Sequence, residues 1–469
     1  MCASVNFNLL IKRILIIVFG IALWFSPRPA ELGPQEWHLF AIFITTIFSV
    51  VFNAFNVLPA SILALAITIL TGTLPPADAF SGFSEGFILL ILVAFLIAKA
   101  VVKSGLGNRI ALLMISRFGH STLGLGYSLL VTDLMIAPAF PSNTARSGVL
   151  FPVIFSLAES NGSYPDTPSA KKIGSFLMFV SMYGLSLSSG LWLTAMAANP
   201  VGAAIAGEWG VDINFGNWFL AALPPTLIAA ALVPFVLYKV FPPEMKKTPH
   251  APENAKKKLH EIGKMNRHEI ITLIVFVIMV TAWAMPSSMG IDRATIAFLG
   301  LGILMVTDVF TMADMRKEGE ALATFIWFAI LYTLSSYLNK LGFMGYIGQQ
   351  LSHHLSGFSW PVVYTVLITA YVLIHYLFVS QSAQLLALYG VFLSAGIATG
   401  VPPTLLALML LFATNFFSVL TPQASSCNVL FAGSGYLKNS MVYKLGGLVT
   451  LLNLLIFMIF GTLWILLIF

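Results

Sequence analysis

Eleven stretches of this 469-residue chain are each long and apolar enough to cross a lipid bilayer. They lie near residues 9–26, 36–56, 58–75, 83–102, 172–198, 217–241, 268–286, 292–310, 321–339, 403–430 and 441–468. A spanning helix needs about 20 mostly apolar residues, and helices satisfy their own backbone inside hydrocarbon. The chain is therefore expected to be an all-α polytopic membrane protein of about 11 transmembrane helices. Only 9% of its residues are charged, against roughly 25% in soluble proteins, which excludes a water-soluble enzyme, a coiled coil or a disordered chain. Two further apolar stretches, 122–158 and 359–398, are too polar at their centres to cross simply and read as re-entrant hairpins.

The net charge of +6 has a topological explanation. If both unusual stretches enter and leave on one side, 20 lysines and arginines fall in alternate loops. The opposite loops hold only Arg28, Arg293 and Lys340, and Arg146 stays inside the apolar zone. The positive-inside rule then puts the N-terminus and the 242–267 loop in the cytoplasm and the C-terminus outside. No nucleic-acid partner is needed to explain the basic surplus. The first apolar run is too long for a cleaved signal, and no organelle leader precedes it, so a bacterial cytoplasmic membrane is expected. Cys2 and Cys427 are too few for a disulfide framework or a thiolate metal site, and no cofactor or metal is implied. No H-E-x-x-H or phosphate-binding loop occurs, so metal-dependent hydrolytic or ATP-driven chemistry is not expected.

An internal repeat runs through the chain. Lys103-Ser-Gly-Leu-Gly resembles Lys340-Leu-Gly-Phe-Met, and Tyr127-Ser-Leu-Leu-Val-Thr132 resembles Tyr364-Thr-Val-Leu-Ile-Thr369, both 237 positions apart. Ser142-Asn-Thr-Ala145 follows opposite Ser380-Gln-Ser-Ala383 at 238, and Thr194 lies opposite Thr421. Five full spans separate corresponding elements, so the second copy is expected upside down, an arrangement typical of secondary transporters. The expected organisation is an N-terminal helix (1–35), a first repeat (36–241), a basic cytoplasmic loop (242–267) and a second repeat (268–469). Within the first repeat, scaffold helices occupy 36–120, a hairpin and broken helix 121–216, and a following helix 217–241. In the second, scaffold helices occupy 268–356, and a hairpin, broken helix and last helix 357–469. Amphipathic segments at 104–120 and 341–356 precede the hairpins and suit the membrane interface.

The polar centres are the candidate sites. Pro141-Ser-Asn-Thr-Ala-Arg-Ser-Gly148 combines a residue without a backbone donor, three small polar side chains and the start of a helix. Such irregular backbone survives in hydrocarbon only when buried in protein or lining a wet cavity. Freed amides and a helix N-terminus then suit a carboxylate. Arg146 is the cation of this zone; a salt bridge to Asp133, or capping of broken-helix carbonyls, is the alternative to a role in function. Asp133 and His375 are the other ionisable residues of the hairpins. Ser188 to Pro200 and Thr421 to Asn428 each put proline with threonine and asparagine in mid-span, where unwound carbonyls can face a cavity.

Ala137-Pro-Ala-Phe-Pro-Ser-Asn-Thr-Ala-Arg-Ser-Gly148 resembles the first signature of the divalent anion/sodium symporter family. Ser380-Gln-Ser-Ala383 is similar to its second hairpin signature, and 410–436 to its tenth helix. The likeness spans nearly the whole chain and is greatest to the exchanger branch. It implies eleven helices with two re-entrant hairpins, a homodimer in the lipid bilayer, and an elevator in which a transport domain slides along a scaffold. Carried over, Ser142, Asn143 and Thr144 contact a dicarboxylate from one side and Ser380, Gln381 and Ser382 from the other, with Thr194, Thr421 and Pro422 beside them. Symporters have Ser-Asn-Thr in both hairpins, whereas this chain has Ser-Gln-Ser in the second, which disturbs a compact Na⁺ cage. Arg146 then supplies the compensating positive charge. The resemblance points to Na⁺-independent exchange of dicarboxylates such as 2-oxoglutarate, malate or succinate. Na⁺-coupled symport of di- or tricarboxylates is the runner-up and an anion channel the other class.

Overall fold

The computed structural model describes residues 7–285, 290, 292–355 and 357–469, so Cys2 lies outside the described residues. Among those residues the chain is helical, without a β-strand; one isolated bridge joins Ser121 to Lys247. Nine of the described helices are long and apolar enough to cross a membrane. Three of these, Thr122–Ala139, Trp360–Leu377 and Gln381–Ala398, belong to the stretches expected as hairpins. The stretches expected at 58–75, 292–310 and 403–430 form shorter apolar helices, Val57–Leu70, Arg293–Val306 and Pro403–Val419.

The chain divides into two compact units, each assembled from three separate pieces. The first comprises Met1–Leu92, Val201–Asp212 and Glu318–Leu410. In it, Gly348 lets helix Phe343–Leu355 lie hard against helix Gln381–Ala398: a Cβ there would stand 2.1 Å from Ser394 Oγ. Phe40 stacks on Phe343 at 4.3 Å between ring centroids, and Gly82 N donates to Thr333 Oγ1 at 3.0 Å.

The second unit comprises Val93–Pro200, Ile213–Lys317 and Leu411–Phe469. Its centre is helix Gly174–Leu191, buried along its whole length. Serines and glycines recur through this helix, and such small residues let neighbouring helices approach closely. Helices Thr122–Ile136, Asn143–Ser160 and Phe215–Val240 pack around it. Trp218, fully buried, donates to Gly190 O at 3.0 Å and meets Phe412 edge-on.

The two polar stretches share one local backbone pattern. Thr122–Ile136 is a 15-residue helix, followed by a 3₁₀ turn at Ala137–Ala139, an extended Phe140 and the 18-residue helix Asn143–Ser160. Trp360–Ile374, His375–Leu377, extended Phe378 and Gln381–Ala398 repeat these lengths 238 positions later. Gly105 and Gly342, both at positive φ, open the preceding amphipathic helices Leu106–Phe118 and Phe343–Leu355 at the 237 spacing. The repeat read from scattered sequence similarities is thus present in the backbone.

Candidate functional site

In the first break, Pro138 and Pro141 deprive the backbone of donors and end the helix. Ser142 restarts it as an N-cap, its Oγ accepting from Ala145 N at 3.2 Å. Asn143 and Arg146 then sit one turn apart and both point inward, with relative exposures of 6% and 0%.

Arg146 is bound on several sides. Its Nη1 donates to Ser188 Oγ at 2.8 Å. Its Nη2 lies 2.5 Å from Asn143 Oδ1, 2.6 Å from Ser189 Oγ and 3.0 Å from Leu185 O. Asp133 Oδ2 stands 3.8 Å from Nη1 and accepts from Ser188 Oγ. The charge at Arg146 thus has a counter-ion, and the guanidinium also donates to a carbonyl inside helix Gly174–Leu191. Arg146 Nε and Asp133 Oδ1 have no hydrogen-bond partner among the described residues. Because Arg146 donates to Asn143 Oδ1, the amide NH₂ of Asn143 is the end left for other acceptors.

The interrupted helix after Leu191 docks onto this break. Thr194 Oγ1 donates to Pro138 O at 2.9 Å and Ala197 N to Pro141 O at 2.8 Å. Thr144 Oγ1 lies 2.7 Å from Ser426 Oγ, on the helix that follows Thr421 and Pro422. Five expected residues (Ser142, Asn143, Thr144, Arg146 and Thr194) therefore share one polar neighbourhood of the second unit, beside the Thr421–Pro422 break. Thr421 is 1% exposed and its Oγ1 has no hydrogen-bond partner among the described residues.

Both interrupted helices close with the same asparagine device. Asn199 Nδ2 donates to Ser189 O at 2.9 Å and Trp192 O at 3.3 Å. Asn428 Nδ2 donates to Ser418 O at 2.6 Å and Thr421 O at 3.0 Å. These pairs stand 229 positions apart, so Trp192 rather than Thr194 occupies the place of Thr421. Asn415 Nδ2 links to Asn199 Oδ1 at 2.9 Å, extending the network. Asn415 lies beside Thr414 in a largely apolar run, and a mid-span asparagine there is the available signal.

The second break lies in the first unit. Ser380 caps its helix, and Gln381, 4% exposed, and half-buried Ser382 follow. Gln384 takes the repeat position of Arg146. Its Nε2 donates to Tyr371 O at 2.7 Å, which turns Oε1 toward His375 Nδ1, also at 2.7 Å. His375 Nδ1 therefore carries the hydrogen of that contact. Where the first break has a buried cation and carboxylate, the second has an amide and an imidazole.

Comparison with known proteins agrees with this anatomy. The chain is 40% identical to a putative malate transporter of Bacillus subtilis (YflS), over 97% of this chain and 96% of that protein. It is 38% identical to a chloroplastic dicarboxylate transporter 2 of Spinacia oleracea, over 97% and 82%. An L-tartrate/succinate antiporter of Shigella sonnei is 30% identical, over 93% and 94%. The fold is shared with the solved structure of Neisseria gonorrhoeae MtrF, at a TM-score of 0.60 and 17% identity over 98% of this chain and 94% of that one. Residues 7–469 match the family described as the sodium:sulfate symporter transmembrane region. The chain is a multi-pass membrane protein that belongs to this family, the divalent anion/sodium symporters its hairpin motifs resemble.

Proposed function

We propose that this chain exchanges C4 and C5 dicarboxylates, such as 2-oxoglutarate, malate and succinate, across a bacterial cytoplasmic membrane without Na⁺. The observation that carries this reading is the first break: Asn143 is held by Arg146 with its NH₂ directed away, at the N-terminus of a helix whose amides favour an anion. Ser142, Asn143 and Thr144 offer neutral donors in one unit, with Thr194, Thr421 and Pro422 near them. Ser380, Gln381 and Ser382 offer a similar set in the other. In this reading Arg146, its charge shared with Asp133, takes the part that a bound cation plays in the symporters. The relatives named for malate, dicarboxylates and tartrate/succinate support the substrate class.

In this reading the two breaks are tips of re-entrant hairpins in inverted repeats, organised as the two repeats 36–241 and 268–469. Eleven helices span the bilayer, with the N-terminus cytoplasmic and the C-terminus outside. The protein works as a homodimer, and an elevator movement carries the anion across. It performs no chemical conversion.

Proteoliposomes loaded with unlabelled malate or succinate test this reading. Labelled dicarboxylate should enter without Na⁺ and only against internal substrate. Uptake into empty vesicles driven by a Na⁺ gradient would establish the symporter instead, and uptake indifferent to internal substrate would establish a channel.

A further inference from the structure

The basic segment between Phe215–Val240 and Arg267–Ala284 is folded onto the second unit rather than left as a free loop. Glu244 N and Met245 N donate to Lys171 O and Lys172 O, at 3.1 and 3.0 Å. Thr248 N and Thr122 N donate to His120 O and Lys246 O. At its far end Arg109 grips Gly263 O at 2.8 Å and Glu269 at 2.6 and 3.0 Å. Between these anchors helix His250–Ile262 packs on the amphipathic helix Leu106–Phe118.

This packing leaves an open cavity of about 560 Å³ between helices Leu106–Phe118, Asn143–Ser160 and His250–Ile262. That volume lies within the roughly 300–1,000 Å³ of small-ligand sites. Its floor is apolar: Leu112 and Ile115 on one helix, Val153 and Leu157 on another. Its rim carries Lys257 and Lys258, with Lys258 Nζ 3.0 Å from Ser156 Oγ, and one acidic group, Glu261. The segment 242–267 holds seven lysines and arginines against three glutamates.

The cavity also straddles a change of surface. Leu113, Phe118 and Ile270 are 46%, 52% and 44% exposed, as suits side chains facing lipid, while Lys256, Lys257 and Lys258 are exposed on the adjoining helix. A basic rim over an apolar floor at such a boundary matches an anionic amphiphile, and polybasic segments beside spans attract anionic lipids. We infer that this cavity binds an anionic phospholipid, its phosphate on Lys257 and Lys258 and an acyl chain along Leu112, Ile115, Val153 and Leu157. Pro152, which interrupts the hydrogen bonding of helix Asn143–Ser160, also lines the cavity, so the lipid touches the helix that carries Asn143 at its other end.

Native mass spectrometry of the full-length protein in detergent, titrated with phosphatidylglycerol or phosphatidylcholine, tests the site without any transport assay. Phosphatidylglycerol should bind in preference, and Lys257→Gln/Lys258→Gln should weaken it roughly tenfold or more at unchanged melting temperature. Glycerol 1-phosphate at the same concentration should fail to displace the lipid. Equal retention of the two lipids, wild-type retention by the double variant, or displacement by the soluble phosphate would overturn the proposal.

Discussion

Arg146 Nη2 lies 2.5 Å from Asn143 Oδ1, one turn away on the same helix. The contact fixes which end of the amide faces the rest of the site, because guanidinium groups only donate. Asn143→Ala removes a donor from a buried polar site, at a cost of about 1–3 kcal/mol, or roughly 5- to 160-fold in apparent substrate affinity. Asn143→Asp keeps the contact to Arg146 but replaces the amide NH₂ with a second negative oxygen. It should retain the melting temperature and lose dicarboxylate exchange. Exchange kinetics of both variants in loaded vesicles check this; normal kinetics in Asn143→Asp would remove Asn143 from the site.

Arg146 and Asp133 are both fully buried and 3.8 Å apart, so neither tolerates loss of the other. Arg146→Gln strands a buried carboxylate and should destabilise the protein by about 3–5 kcal/mol, whereas Arg146→Gln/Asp133→Asn should recover most of that loss. Exchange should not return in the double variant if the arginine also positions Asn143. Melting temperature and exchange rate, measured on the same preparations, separate the two roles.

Much of this region is legible in the order of residues along the chain. Small polar residues inside apolar runs mark all four breaks, and proline marks three of them (Pro138 and Pro141, Pro200, Pro422), because hydrocarbon leaves such residues few other uses. Ser142 and Ser380 are recognisable as helix starts from their type alone. The pairing of Arg146 with Asp133 is one of two structural readings open to the sequence, and the structure shows that salt bridge. The carbonyl that Arg146 meets, Leu185 O, lies inside helix Gly174–Leu191 and not at a break. Side-chain links between distant positions are a different matter. Asn415 with Asn199, and Gln384 with His375, depend on which helices pack together, and no periodicity encodes that. The alignment of Thr194 with Thr421 is displaced by two residues for the same reason: asparagine amides, not threonines, define the equivalent positions. The 242–267 segment reads as a charge signal for topology, yet Arg109 and Thr122 fold it onto the second unit.

A surface pair gives a pH prediction. The Lys103 ammonium, 2.6 Å from Asp314, and then the Thr311 hydroxyl hold the Asp314 carboxyl down, from 3.8 to about 2. A lowered carboxylate value means stability that is present above pH 3.8 and is lost as pH falls toward 2. Asp314→Asn should remove that part of the acid-induced loss and cost less than about 1 kcal/mol at neutral pH, since Lys103 is exposed to water. Melting temperature followed from about pH 5 down to about pH 2 in both proteins checks the difference; identical acid limbs would show that the pair contributes nothing.

Thr421 allows a cleaner separation of binding from folding. Its hydroxyl is buried and has no hydrogen-bond partner among the described residues, while its carbonyl is already taken by Asn428. Valine has nearly the same shape and would relieve an unsatisfied polar group, so Thr421→Val should leave the melting temperature unchanged or slightly raised. If the hydroxyl serves a bound dicarboxylate, the same change should weaken apparent affinity by about 1–3 kcal/mol with the maximal rate less affected. Asn428→Ala supplies the contrast, because it takes the amide away from the Ser418 and Thr421 carbonyls, leaving Thr421 O with Ala424 N, and should lower the melting temperature first. Thr421→Val with unchanged exchange affinity would exclude its hydroxyl from substrate contact, whatever the other variants show.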